Sequence, residues 1–147
     1  MNTSTGRTEQ VRAIALALLR HPERPAVFVD QGTRPGTGEV YHRLAGGGIE
    51  HGELARDTVA RELAEEYGLQ VRVGRRRAVV ENIFTFDGHL AHQIVFVFDA
   101  ELCDPADAQF ERLTCRDTDN VGVWRPIDET RVPLYPEAVH IFLDEPQ

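Results

Sequence analysis

Residues 11–19 read Val-Arg-Ala-Ile-Ala-Leu-Ala-Leu-Leu, and residues 25–30 form a second aliphatic and β-branched run, with His21-Pro22-Glu23-Arg24 between them as a turn. This pattern predicts two strands opening the fold as a hairpin or meander. Residues 31–38 read as a loop by their Gly and Pro content, and Val-Tyr-His-Arg-Leu at 40–44 alternates like a short strand. Three successive glycines, 46–48, predict a second loop; from residue 53 to 67 the apolar positions recur with helical period and Gly68 stops the run. Residues 69–73, 78–86 and 92–100 then read as strands, the last two separated by the Asp87-Gly88 turn. Residues 102–121 are polar and predict no element, 121–126 predicts a short strand, and 135–143 predicts a final helix between Pro133 and Pro146. A mixed sheet with helices accounts for this order.

No repeat, linker or low-complexity segment divides the chain, and its 147 residues suit one domain. The polar residues 1–10 are expected to be loose, with the domain spanning 11–147. Acidic residues outnumber basic ones by 24 to 16, for a formal charge of −8, which argues against duplex nucleic acid or an anionic membrane as partner. Every basic residue is Arg. The absence of Lys excludes a lysine-bearing phosphate loop, a Schiff-base lysine and a lysine general base. Cys103 and Cys115 lack the spacing of a zinc site and are expected to be free thiols. The apolar run at 13–19 is too short for a membrane span and no cleavage pattern follows it, so a cytoplasmic protein is expected.

The predicted helix carries its charges oddly. At about 100° per residue, with Glu62 at zero, Glu65 falls near −60° and Glu66 near +40°, so all three carboxylates share one face. That face borders the apolar arc of Val59, Ala60, Leu63, Ala64 and Tyr67. Like charges at these spacings repel, and anions in a last turn oppose the helix dipole, a combined penalty on the order of 1–3 kcal/mol. Arg61 offsets it only in part; a divalent cation would reverse its sign. Oxygen ligands favour Mg²⁺ or Mn²⁺ over zinc, and Mg²⁺ characteristically completes its shell with substrate phosphates. The three glycines before the helix would let a backbone approach a ligand closely.

In order, the segment holds Gly47, five residues, Glu53, seven residues, Arg61-Glu62, Leu63, one residue, Glu65-Glu66, one residue, Gly68 and Leu69. This resembles the signature of the Nudix hydrolase family with all seven fixed positions filled. At background frequencies that coincidence occurs on the order of once in 10⁸ starts. Ala45 and His51 stand where many relatives carry Pro.

The resemblance implies an α/β/α sandwich built on a mixed β-sheet, and metal-dependent hydrolysis of a diphosphate linkage in a small nucleotide derivative. It implies Glu62, Glu65 and Glu66 as main metal ligands, with the Gly47 carbonyl and Glu50 as further oxygens and Arg61 and Glu53 as orienting residues. The general base stays open among Glu53, Glu65, Glu81 and Glu111, with Glu65 or Glu66 first. Phe84, Phe86, Trp124 and Tyr135 are candidates to stack on a base, and Arg34 and Arg43 to contact phosphate. Arg75-Arg76-Arg77 reads as a solvated turn, and His92 as a structural histidine. Dimers are common in the resembled family. The alternative to an enzyme is a nucleotide-sensing module that keeps the fold without turnover.

Overall fold

The computed structural model describes residues 9–143 and Glu145; the expectation of a loose N-terminal segment therefore falls largely outside the described residues. Among these residues the strands run as β1 Val11–Leu19, β2 Ala26–Thr33, β3 Val40–Leu44, β4 Gly46–Gly48, β5 Val71–Phe86, β6 His89–Leu102, β7 Leu113–Thr114, β8 Val121–Pro126 and β9 Leu134–Tyr135. Among the described residues one α-helix, α1 Ala55–Tyr67, follows β4, and 3₁₀ turns occupy Pro105–Ala108 and Glu137–Phe142.

The strands form two sheets rather than one: β4-β1-β6-β5 and β7-β8-β2-β3-β9. Both are mixed, because β1 pairs parallel to β6 and β3 parallel to β9 while the other neighbours are antiparallel. The expected opening hairpin is not formed. β1 and β2 belong to different sheets and pair only at the Arg20–Val27 bridge. The reason lies in β1, whose two faces are both buried: Ala15, Ala17 and Leu19 pack with Val59 and Leu63 of α1, while Ile14, Leu16 and Leu18 pack with Val27 and Val29 of β2. A strand covered on both faces reads as a continuous apolar run and gives no sign of which neighbour it takes.

Three further expectations are corrected. The glycines form β4, antiparallel to β1, instead of a loop. Segments 69–73 and 78–86 fuse into β5, with irregular register between Val73 and Arg76 and between Arg76 and Ala78. The arginine triplet sits at that irregularity, and Arg77 is no solvated residue: its side chain is 3% exposed and pairs with Asp99 at 2.9 Å. The final helix is the 3₁₀ turn at Glu137–Phe142, preceded by β9, and its Val139 with Leu143 closes the core between the sheets.

Candidate active site

A Cβ on each glycine of β4 would meet a different neighbour. A Cβ on Gly46 would lie 2.1 Å from the Ala15 carbonyl oxygen, so backbone-to-backbone packing excludes it. On Gly47 it would lie 2.6 Å from the Glu62 carboxyl carbon, and on Gly48 it would lie 2.8 Å from Nη2 of Arg12. The first glycine thus seats β4 on β1, and the next two leave room for one carboxylate and one guanidinium.

Helix α1 supplies the carboxylates. Its C-terminus closes on Gly68, whose left-handed φ of 69° lets the 68 and 69 amides return to the carbonyls of Ala64 and Leu63. No basic residue lies in the last turn. The compensation comes from elsewhere: Arg116 donates its backbone amide to the Glu66 carbonyl at 2.8 Å and Nη1 to the Ala64 carbonyl at 3.5 Å. The dipole mismatch read from the sequence is therefore relieved by a cation remote along the chain.

Arg61 organises the other end of the site. Its Nε and Nη2 donate to both oxygens of Glu53, at 2.7 and 2.9 Å, and Nη1 donates to Glu62 at 2.9 Å and Glu65 at 3.2 Å. Nη2 also reaches the Gly48 carbonyl at 3.2 Å, and Glu50 approaches Nη1 at 3.6 Å. A planar fork is suited to hold several oxygens at fixed directions. Glu53 further accepts from Thr58 Oγ1 at 2.7 Å and from the Glu50 amide. Arg61, then Thr58, hold its carboxyl down at about 2, so it stays ionised and is a poor proton acceptor near neutrality.

Glu62 is 13% exposed, against 57% for Glu65 and 69% for Glu50. Glu66 is half-buried beside Cys115, whose thiol lies 3.7 Å from its Oε2. Burial first, then the hydrogen bond shared with Glu62 and the Glu62 charge, push the Glu66 carboxyl well above the usual carboxylate range. The pair is thus stable together only with a positive charge between them, which a proton or a hard cation supplies. Oxygens of Glu62, Glu66 and Asp117 lie within 4.8 Å of one another, and Glu66 forms a second such group with Asp30 and Cys115. The all-oxygen first set fits a hard divalent ion. Asp30, Asp117 and Cys115 carry no local sequence signal, since they reach Glu66 only through the packing of β2 and the segment after β7 on α1.

Glu62, Glu66 and Gly47 open onto a cleft of about 650 Å³. The cleft crosses the four-stranded sheet from β4 to β5, three strand spacings or about 14 Å. Ile14 and Leu16 lie on its floor, and Phe84, Phe86, Tyr41 and Tyr135 line it. The Arg34 guanidinium stands 5.6 to 6.0 Å from the ring centres of Tyr135, Phe86 and Tyr41 and donates to the Tyr135 hydroxyl at 3.0 Å. Of the residues the sequence put forward for substrate contact, Arg34, Arg43, Phe84, Phe86 and Tyr135 line the cleft; Tyr41 and His89 do so unannounced. Trp124 does not. Its ring stacks on Phe110 at 5.4 Å and its Nε1 donates to the Ala108 carbonyl, where it packs against the core. Glu81, Glu111 and His92 do not line the cleft, and His92 faces Glu81 at 3.6 Å.

The family model of the NUDIX domain matches residues 9–143. The chain belongs to the Nudix family, and it is a Nudix-type pyrophosphohydrolase, an enzyme class that acts on nucleotide derivatives and generally uses a divalent metal. Among solved structures, the MutT protein of Methanosarcina mazei Go1 is similar at 19% identity and a TM-score of 0.65, with 92% of this chain and 95% of that one covered. A MutT NUDIX hydrolase from Burkholderia pseudomallei is 21% identical at a TM-score of 0.58, covering 95% and 100%. A UDP-X diphosphatase is 17% identical at 0.60, covering 97% of this chain and 69% of that chain. These likenesses establish the fold. No curated protein matches the sequence. Among the described residues, no helix is long and apolar enough to cross a membrane.

Proposed function

We propose that this enzyme hydrolyses a diphosphate linkage in a small nucleotide derivative, either a nucleoside triphosphate or a nucleoside diphosphate joined to a second group, with Mg²⁺ or Mn²⁺ held chiefly by Glu62 and Glu66. Gly47, whose backbone abuts Glu62, and Glu65 and Glu50, which share Arg61 Nη1 with Glu62, are the remaining candidate ligands. A bound divalent ion supplies charge neutralisation of phosphate oxygens and an acidified water. The chain's own residues supply orientation. Arg61 holds Glu62 and Glu65 on one fork, Glu53 fixes Arg61, and Glu65 or Glu66 is the first candidate for general base.

The observation carrying this reading is that one cleft joins the Glu62 and Glu66 carboxyls to a wall of aromatic rings around Arg34. Carboxylates at one side suit metal-bound phosphates, and rings of that size suit a nucleobase. The test is incubation with Mg²⁺ or Mn²⁺ and a panel of nucleoside triphosphates, nucleotide sugars and dinucleotides, following phosphate and nucleotide release. Turnover of at least one member, lost in chelator and reduced by at least about 2 kcal/mol of transition-state stabilisation in Glu66→Gln, is expected. Full activity in chelator, or an unchanged kcat in Glu66→Gln, would remove that carboxylate from the site.

A further inference from the structure

We propose that Arg12 is a phosphate-binding residue, seated over Gly48 in the cleft that Glu62 and Glu66 also line; this rests on the reading of the site as a pyrophosphohydrolase centre. Three arginines line the cleft outside α1, and two are already engaged. Arg34 donates to Tyr135 and faces Glu39 at 3.8 Å, while Arg43 lies 3.6 Å from Asp30, a buried carboxylate that also accepts from Asn120 and Tyr67. The Arg12 side chain has no hydrogen bond or ion pair among the described residues.

Its position is nonetheless defined. Arg12 alternates with Ile14 and Leu16 on the cleft face of β1, and its strand neighbour is Gln93 of β6, which in turn faces Asn82 of β5. A polar row of Arg12, Gln93 and Asn82 therefore crosses an otherwise apolar floor. Nη2 of Arg12 lies over Gly48, where any Cβ would meet it at 2.8 Å. One residue away, Gly47 abuts the Glu62 carboxyl, and the Gly48 carbonyl is bonded to Arg61. The guanidinium lines the same cleft as Glu62 and Glu66 and donates to neither. A planar cation with open donors suits phosphate oxygens bidentately. A substrate whose metal-bound phosphates lie at Glu62 and Glu66 would place an adjacent phosphate within the reach of Arg12. The third glycine is then explained by ligand binding, because strand pairing alone does not exclude a side chain there.

Wild type, Arg12→Gln, Gly48→Ala and the double variant are compared by calorimetric titration with inorganic tripolyphosphate in chelator, and by kcat and KM on whichever nucleotide the panel identifies. Thermal melting confirms that each variant folds. Arg12→Gln is expected to weaken tripolyphosphate binding and raise KM by about tenfold, with kcat within about threefold. Gly48→Ala, which displaces the guanidinium, is expected to act alike, and the double variant no worse than either single one. Unchanged affinity in Arg12→Gln overturns the proposal, as do additive losses in the double variant or no binding by wild type at millimolar tripolyphosphate. The titration needs neither metal nor turnover. An enzyme inactive on the whole panel but showing the Arg12-dependent titration would refute the reaction while leaving the anion site intact.

Discussion

Gly46 and Gly47 stand side by side, yet alanine at each should fail differently. At 46 the added carbon meets backbone, the Ala15 carbonyl at 2.1 Å and Leu16 Cα at 2.8 Å, so β4 must leave β1 or the chain must distort. Gly46→Ala is expected to cost about 2–4 kcal/mol in denaturant unfolding. At 47 the carbon meets only the end of a flexible side chain, Glu62, which can swing away. Gly47→Ala should therefore keep its stability within about 1 kcal/mol and lose on the order of 100-fold in kcat, because a carboxylate displaced by an ångström no longer serves the same geometry. A folded, fully active Gly47→Ala enzyme would show that Glu62 need not sit where it does. At this scale the geometry of the candidate site is largely legible in the sequence. Glu62, Glu66, Arg61 and Glu53 lie within one helix and its approach, where fixed spacing converts directly into a shared face. What the spacing could not rank is exposure: Glu65 and Glu66 are adjacent in sequence, but one faces solvent on Arg61 and the other is pressed against Cys115.

At the scale of elements, β3 carries a histidine whose charge state supports the five-stranded sheet. His42, on β3 between β2 and β9, is 5% exposed; its Nδ1 faces Nη1 of Arg125 on β8 at 3.0 Å and its Nε2 faces Gln31 Oε1 on β2 at 2.9 Å. Arg125 can only donate, so Nδ1 accepts and the proton is on Nε2, donated to Gln31. A second proton on Nδ1 would point at a guanidinium. Burial first, then the Arg125 charge, lower the imidazole to about 4, with Glu129 opposing weakly. Its folded value lies below its unfolded value of 6.5, so the unfolded chain binds the proton more readily. The stabilisation is present above about pH 6.5 and drains away as pH falls toward about 4, by about 2–3 kcal/mol. Urea unfolding of His42→Gln should be less pH-dependent over this window than that of wild type; equal slopes would mean the imidazole titrates normally. The element scale also shows where periodicity misleads. β1 and β2 read as partners because they are consecutive and apolar, but apolarity on both faces of β1 means layers on both sides, and β6 and β4 take its edges. Arg77 read as surface by its charge, while Asp99 and Glu145, which bury and pair it, lie far along the chain.

At the scale of the whole molecule, the cleft draws on β1, β3, β4, α1, β5, β6 and β9, and pairings such as β1 with β6 and β3 with β9 decide which aromatic residues face it. Nothing local distinguishes Trp124 from Phe86, since both are aromatic residues on strands. Their surroundings differ completely. Trp124 packs against Phe28, Phe110 and His21. Phe86 ends β5 at the rim of the cleft, 5.8 Å from Arg34 and 6.1 Å from Tyr41. Trp124→Ala should therefore destabilise by about 3–5 kcal/mol whatever the ligand. Phe86→Ala should leave melting almost unchanged and weaken nucleotide binding by about 1–3 kcal/mol, the range for one stacked base. The contrast with Arg12 makes the test specific: loss of the ring should raise KM for a nucleotide but leave tripolyphosphate affinity alone, because that probe has no base to stack. If Phe86→Ala weakens both equally, the aromatic wall acts by shaping the cleft as a whole and holds no base. If it weakens neither, the base lies elsewhere and the division of the cleft into a phosphate side at β4 and a base side at β5 is wrong.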